Sequence, residues 1–258
     1  MCLLFHCRDA HEDYPFILLA NRDEFYERPT RAADFWADTP DVLGGRDLRR
    51  GGTWLGITRT GRWAALTNYR EPSDAVFDRS RGDIVRDYLA GGESAGAFAE
   101  HLTLVAGEFD GFNLLFGDRR QSLWLSNRGD GIRTLETGIY GLSNHLLETP
   151  WPKVTHGKRT LAEQLKQVPV TDRLFEPLTN RTVYDSDLPD TGVDHEVERM
   201  LSSAFIASPR YGTRSSTLIT VDRDGRVYFE ERSYDNRTSG LNEPDEYCSK
   251  IFRFQLNC

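Results

Sequence analysis

A cysteine directly follows the initiator methionine, at the start of the apolar run MCLLF. Removal of Met1 would make Cys2 the N-terminal residue and would place a thiol and a free α-amine on one residue, which is a nucleophile that carries its own base. A small thiol at the end of a strand is also an ordinary buried residue. The position of Cys2 alone leaves both interpretations open.

The neighbours of Cys2 narrow the choice of base. Strand alternation puts Cys2 and His6 on one face, but at about 3.3 Å per residue they lie roughly 13 Å apart, too far for a direct thiol–imidazole pair. Cys7 falls on the other face, which excludes a metal site shared with Cys2 within this strand. The α-amine, which ordinarily titrates at about 7.7 to 8.0, is therefore the nearest base, and nothing in the sequence demands a metal.

Polar residues also follow the second apolar run, PFILLAN. Asn21 and Asp23 share one face at the end of this predicted strand, and a hairpin with the first strand would bring them beside Cys2. Such a group is also typical of a solvated strand end. The segment GGRDLRRGGTWLG (44–56) has two interpretations as well: a glycine-rich turn, or a loop beside a pocket in which Arg46 holds a carboxylate.

Three further polar residues stand at the ends of predicted strands: Asn68 in AALTN, Asn144 in GLSN and Arg214 in YGTRSS. A carboxamide can donate to a developing oxyanion, and a guanidinium can hold a carboxylate or stabilise a thiolate. Each of the three, taken singly, is also typical of an ordinary turn.

Composition excludes several classes of protein. The net charge of −8 over 258 residues opposes a general role in nucleic-acid binding, because the phosphate backbone attracts clustered lysine and arginine. No segment approaches the roughly 18 apolar residues that span a bilayer, and no signal peptide is recognisable. Four cysteines in 258 residues are too few for a disulfide framework. We therefore expect a cytoplasmic protein that binds a small molecule.

The order of predicted elements indicates an α+β fold with helices packed on antiparallel sheets. The chain shows no convincing interdomain linker, so we expect one domain over residues 1–258. Predicted strands cover 2–8, 15–21, 53–58, 62–68, three runs between 111 and 144, 215–222, 226–231 and 250–256. Predicted helices cover 80–91, 94–102, 151–168 and 194–203.

Taken together, these motifs resemble the NRDE family, which includes the transport-and-Golgi-organisation proteins. The resemblance rests on the following segments: the Met-Cys start, Asn21-Arg22-Asp23-Glu24, GGRD with GGTWLG, Thr67-Asn68, Ser80-Arg81-Gly82, GLSN at 141–144 and YGTRSS at 211–216. That family is in turn similar to the N-terminal-nucleophile hydrolases, which implies a four-layer αββα sandwich of antiparallel sheets.

The resemblance also implies roles for individual residues. By position, it makes Cys2 the nucleophile, Asn21 and Asp23 the Asn and Asp of the second strand, Asn68 and Asn144 the oxyanion-hole amides, and Arg214 the late arginine. Those enzymes carry an arginine where this chain has Ala20. Arg22 occupies the variable position, on the face opposite Asn21 and Asp23. Arg214 or Arg46 is the expected substitute for the missing arginine, and Asn21, Arg22 and Arg46 are expected to contact substrate.

The activity implied by this resemblance is hydrolysis of a linear amide or thioester, with a small-molecule acyl substrate and no required cofactor. Eukaryotic relatives are associated with haem movement and with lipid or acyl-CoA homeostasis, so a non-catalytic carrier of a hydrophobic ligand on the same scaffold is the alternative. Haem would then be a possible ligand, with His6, His11, Cys7 or Cys2 as axial candidates.

Overall fold

A computed structural model describes residues 2–166, 172–234 and 245–257, without the side chains of Cys2 and Asp172. The strands within this part are β1 (Cys2–Arg8), β2 (Phe16–Phe25), β3 (Thr30–Phe35), β4 (Val42–Asp47), β5 (Leu55–Thr58), β6 (Trp63–Asn68), β7 (Phe112–Gly117), β8 (Ser122–Ser126), β9 (Arg133–Thr134), β10 (Gly138–Leu142), β11 (Tyr211–Val221), β12 (Arg226–Tyr234) and β13 (Tyr247–Gln255). The helices are α1 (Arg81–Ala90), α2 (Ala95–Val105), α3 (Pro152–Gln164), α4 (Glu176–Thr179) and α5 (His195–Met200).

The strands form two antiparallel sheets. The first sheet has six strands in the order β10-β1-β2-β11-β12-β13, and the second has seven in chain order from β3 to β9. In the first sheet β2 lies between β1 and β11, and it pairs with β11 along its whole length from Phe16 to Phe25. A bulge at Arg214 interrupts the β11 ladder.

Side-chain alternation sorts the strand residues into separate cores. Leu4 of β1 joins the core between the two sheets, whereas Leu3 and Phe5 join a core on the outer face of the first sheet. In the second sheet, Ala65 faces the inner core and Leu66 faces outward. Apolar side chains are therefore buried on both faces of each sheet, as is required when both faces are covered.

Helices cover both outer faces. Helices α1 and α2 bury Ile84, Tyr88 and Phe98 against the second sheet, and α3 with α4 buries Val154 and Leu178 against the first. The predicted α+β class and four-layer αββα sandwich are confirmed. None of the helices in the described residues is long and apolar enough to span a bilayer.

The sequence pattern misses the strands β3 and β4. The first Gly-Gly pair of GGRD lies within β4 and not in a turn or loop, although the second pair, Gly51-Gly52, does follow a turn. The reason is close packing: a Cβ on Gly44 would lie 2.5 Å from the Leu55 carbonyl oxygen, and one on Gly45 would lie 2.3 Å from the Trp54 ring. These glycines permit a close approach within a sheet and do not mark a loop.

A buried histidine links the two sheets at the end remote from Cys2. The Nδ1–H of His6 donates to the Ile17 carbonyl (3.2 Å), which leaves Nε2 to accept from the Ser122 hydroxyl (3.0 Å). Arg8 donates to the same hydroxyl at 3.3 Å. Burial lowers the pKa of His6 from 6.5 to about 4, assisted by the charge of Arg8, so the imidazole is neutral at pH 7.

We expect this histidine to make the protein sensitive to acid. The unfolded chain takes up the His6 proton below pH 6.5 and the folded chain only near pH 4, so stability is lost as the pH falls between these values. Between pH 7 and pH 5 the free energy of unfolding should fall by about 2 kcal/mol more in the unmodified protein than in His6→Gln. Urea unfolding of both proteins measures this difference. Equal pH dependence would contradict the account.

Candidate functional site

Alternation along β2 divides its polar end between two faces. Asn21 and Asp23 lie on the side of α3 and α4, and Arg22 lies on the side of the second sheet, where its guanidinium carbon is 4.2 Å from the Trp54 ring centroid. All three side chains are buried. The tetrad is therefore not a solvated strand end.

Asn21 is part of a closed hydrogen-bond network. Its Nδ2 donates to the carbonyls of Leu178 (2.7 Å) and Ala204 (2.8 Å), and its Oδ1 accepts from the Ser216 hydroxyl (2.5 Å). Tyr234 donates to Ser216 in turn. These bonds tie β2 to two segments that lie far away in sequence. The geometry gives Asn21 a positioning role in the fold; contact with substrate, the predicted role, stays a prediction.

Asp23 is a buried carboxylate among cations. Its Oδ1 accepts from the Thr213 hydroxyl at 2.7 Å. Burial raises the pKa of Asp23 above its ordinary value, and the charges of Lys153 and Arg70 together with the Thr213 bond oppose that rise. Lys153, at the start of α3, is itself buried and donates to the Leu201 carbonyl at 2.8 Å.

Arg22 is the cation nearest to Cys2 in the sheet. The register of β1 and β2 pairs Cys2 directly with Arg22, while the thiol itself lies outside the described atoms. The Arg22 side chain donates to the Thr30 hydroxyl at 3.1 Å and lies 4.0 Å from the Glu24 carboxylate. Arg22 itself lies on the face opposite Asn21 and Asp23, as strand alternation predicts.

A pocket of about 120 Å³ opens at this end of β2. Three of the predicted site residues, Arg22, Asp23 and Asn68, line it, together with Trp54 and the start of α1 at Ser80. The structure therefore brings a cation, a carboxylate and a carboxamide to one cavity beside the backbone of Cys2.

Asn144 lies next to Asn68. Its Nδ2 donates to the Asn68 carbonyl at 3.0 Å, and the Arg70 amide donates to the Asn144 carbonyl at 2.7 Å. The Arg70 guanidinium forms a buried ion pair with Glu198, at 2.5 Å. Sequence reasoning missed Arg70 and Glu198; the signal for Arg70 was its place two residues after Asn68, and Glu198 carries no local signal.

The other two predicted arginines are directed away from this pocket. Arg214, at the bulge of β11, donates to the carbonyls of Phe25 (3.0 Å) and Arg28 (3.1 Å). Arg46 pairs with Asp38 at 3.0 Å and covers the Trp36 ring. Neither belongs to the described lining of the pocket, and their roles stay predictions.

The residues considered as haem ligands differ in access. Cys7 is fully buried, and burial raises the pKa of its thiol to about 12. His6 uses both ring nitrogens as described above. His11 Nδ1 accepts the backbone amides of Asp13 and Tyr14 at 3.1 and 3.3 Å. All three lie in or just after β1, toward its end remote from Cys2.

The family model for Transport and Golgi organisation 2 matches residues 1–236 of this chain. The chain belongs to this family. The Transport and Golgi organization protein 2 homologue of Bos taurus is 38% identical over an alignment of 256 residues. The match covers 90% of this chain and 93% of the relative. The Homo sapiens homologue is 36% identical over 259 residues, with coverage of 90% and 93%. The family predicted from the NRDE tetrad is confirmed.

Two solved structures are similar to this member of the Transport and Golgi organisation 2 family. The N-acylethanolamine-hydrolyzing acid amidase ortholog of Caenorhabditis elegans has a TM-score of 0.48 and 13% identity, over 84% of this chain and 92% of that one. The C2A mutant of the conjugated bile acid hydrolase from Clostridium perfringens has a TM-score of 0.49 and 10% identity, over 100% and 97%.

The Asn21 network predicts a loss of stability when its donors are removed. Asn21→Leu leaves the buried carbonyls of Leu178 and Ala204 without their donor, at a cost of about 2 to 5 kcal/mol in the free energy of unfolding. Urea unfolding at pH 7 measures the cost. Ser216→Ala, which removes the bond to Asn21 Oδ1 and the bond from Tyr234 but leaves both carbonyls with their donor, is the control. An Asn21→Leu protein as stable as the unmodified one would contradict the positioning role.

Proposed function

We propose that this protein hydrolyses a linear amide or thioester bond with Cys2 as the nucleophile. The observation that carries the proposal is the pairing of Cys2 with the buried Arg22, beside a pocket that Asp23 and Asn68 also line. A neighbouring guanidinium favours the thiolate and lowers the pKa of a cysteine. The N-terminal-nucleophile hydrolases carry an arginine where this chain has Ala20. We propose that Arg22 supplies that positive charge here.

The proposed reaction proceeds in two steps. The Cys2 sulfur attacks the substrate carbonyl carbon, and the thiol proton passes through the α-amine, freed by loss of Met1, to the leaving nitrogen or sulfur. The resulting acyl thioester is then cleaved by water, which regenerates the thiol and releases a carboxylic acid. Asn68 and the second N–H of Asn144 Nδ2 would donate to the oxyanion. Asp23 would orient the α-amine.

We also infer a reducing, cytoplasmic setting for this chemistry. Two of the cysteines, the buried Cys7 and the exposed Cys248, are free thiols. Disulfides are rare in the cytosol, where thiols are kept reduced, and the proposed nucleophile requires a reduced thiol.

The test is chemical labelling of Cys2 in a Cys248→Ser, Cys258→Ser background, in which Cys2 and the buried Cys7 are the remaining cysteines. We expect an intact mass that lacks Met1 and one iodoacetamide adduct that maps to Cys2. The pH dependence of alkylation should give a thiol pKa below the ordinary value of about 8.5. Hydrolysis of an amide and thioester panel should disappear in Cys2→Ala.

Arg22→Gln is the matched variant for thiolate stabilisation. It keeps hydrogen-bonding capacity but removes the charge, so we expect the alkylation pKa of Cys2 to rise by about one unit. Circular dichroism checks that the variant is folded. Retained Met1, an inert Cys2 or undiminished turnover in Cys2→Ala would each overturn the hydrolase proposal.

A basic groove favours a second candidate, a carrier of acyl-CoA or a related anionic lipid. The groove adjoins the pocket and has a volume of about 460 Å³. Five arginines line it, beside the exposed Val76 and against one acid, Asp110: Arg28, Arg49, Arg50, Arg79 and Arg81. Guanidinium groups are well matched to phosphate, and an apolar neighbour suits an acyl chain.

This second candidate predicts binding that depends on salt and on the groove. Palmitoyl-CoA should bind at least tenfold more weakly to an Arg49→Glu, Arg50→Glu protein, and affinity should fall when ionic strength rises from about 0.05 to about 0.5 M. Isothermal titration calorimetry measures both effects. Arg253→Glu, at the remote end of β13, is the matched control. Equal affinity of the groove variant and the control would contradict the assignment.

A further inference from the structure

A second cavity lies at the other end of the sandwich. It has a volume of about 250 Å³, and its walls come from the strand ends and turns of both sheets, including Arg8, Phe16, Gly61, Arg119 and Gly225. Phe16 stands six residues before Arg22 on β2, which separates this cavity from the candidate site by roughly 20 Å at about 3.3 Å per residue. The proposed hydrolase chemistry does not involve it.

Part of the wall of this cavity is apolar. Ile57 and Leu256 are buried in the core between the sheets, and Phe16 packs edge-on against Trp63 with ring centroids 4.9 Å apart. Trp63 is 1% exposed, and its indole Nε1 has no hydrogen-bond acceptor within the described residues. A buried N–H without an acceptor costs about 1 to 3 kcal/mol. Because the nitrogen itself is buried, the indole contributes ring atoms and no donor to the cavity wall.

Two arginines of the cavity wall are held in place by the fold. Arg8 donates to the Arg120 carbonyl at 2.7 Å and to the Ser122 hydroxyl at 3.3 Å. Arg223 donates to the Glu12 carbonyl. Their partners in these bonds are neutral oxygens, so the positive charges remain available to a ligand. Only Arg8 also has a nearby carboxylate, Asp9, at 3.8 Å.

A third arginine lies across the cavity mouth. Within the described residues, the Arg119 side chain makes no ion pair or hydrogen bond. It runs along two glycines in left-handed turns, Gly61 (φ +84°) and Gly225 (φ +81°). A Cβ on Gly61 would lie 2.8 Å from Arg119 Cγ, and one on Gly225 would lie 3.7 Å from its Nη2. The turns thus leave room at the cavity for a guanidinium that is unpaired within the described residues.

The acidic residues of the wall are largely engaged in their own turns. Asp118 accepts the backbone amides of Arg120 and Gln121 at 2.8 and 3.1 Å. Asp222 accepts the Arg226 amide at 2.8 Å and lies 3.5 Å from its guanidinium. Asp9, the third carboxylate of the wall, lies 3.8 Å from Arg8, so Arg119 is the charged group of the wall that has no partner within the described residues.

We propose that this cavity is a binding site for a small organic anion, a carboxylate carried on a compact apolar body. The carboxylate would meet Arg119 and Arg8, and the body would contact Phe16, Trp63, Ile57 and Leu256. The volume falls below the 300 to 1,000 Å³ typical of sites for drug-sized ligands, so the body is about the size of one aromatic ring.

Benzoate is the probe for this site, with neutral benzamide of the same shape as its matched control. In ¹⁵N-labelled protein, benzoate should shift the Trp63 indole resonance, assigned through Trp63→Phe, with a Kd of about 1 mM or tighter. Benzamide should bind at least tenfold more weakly. Arg119→Gln should weaken benzoate binding at least fivefold, whereas Arg253→Gln, another exposed arginine, should not.

The binding data on the variant and on the two probes distinguish anion recognition from non-specific apolar binding. Because Arg119 is exposed and makes no bond within the described residues, Arg119→Gln should fold normally, and the amide spectrum verifies this. Equal binding of benzoate and benzamide would identify an apolar cleft without anion recognition and overturn the proposal. The absence of a saturable shift at Trp63, or unchanged affinity in Arg119→Gln, would overturn it as well.

Discussion

A buried guanidinium stacked on an indole ring fixes the end of the sandwich where the candidate site lies. A charge in such a place costs several kcal/mol unless polar and charged groups surround it. For Arg22 these are Trp54, the Thr30 hydroxyl and the carboxylates of Glu24 and Glu231. Since they come from both sheets, the guanidinium joins the sheets at this end of the sandwich, and the Cys2 backbone and the pocket both depend on that junction.

The opposite face of the same strand end supplies hydrogen-bond donors to the outer layer. The stretch from 180 to 206 contains only one short helix, and a stretch with so little regular structure must satisfy its backbone polar groups by other means. Asn21 and Lys153 supply two of the necessary donors, to Ala204 and Leu201, and Asn21 also donates to Leu178 in α4. The four residues 21–24 therefore contribute to both faces of the sheet. Arg22 lines the pocket, and Asn21 holds the outer layer.

Local patterns were enough to predict most strands, the helix at Ser80 and the family, because alternation, caps and turn residues act over a few positions. Local patterns failed where contacts between residues far apart in the sequence determine the structure. The glycines of β4 look like a turn until Leu55 and Trp54 are seen against them. The carbonyls that Asn21 binds, those of Leu178 and Ala204, lie 157 and 183 residues away, and no local pattern near position 21 predicts them. The pairing of Cys2 with Arg22 was missed as well: Asn21 and Asp23 were expected beside Cys2, but the hairpin register places Arg22 opposite it.

The bulge of β11 has a consequence for acid strength. It places Thr213 opposite Asp23 and Ser215 opposite Arg22, with Arg214 as the extra residue between them. If the register of Ser215 continued without the bulge, Arg214 would stand opposite Asp23, and the ion pair would make that carboxyl a stronger acid. One additional residue in a strand therefore exchanges a guanidinium for a hydroxyl. The bulge thus keeps away a charge that would oppose the effect of burial, and the carboxyl holds its proton more firmly without any change in its own side chain.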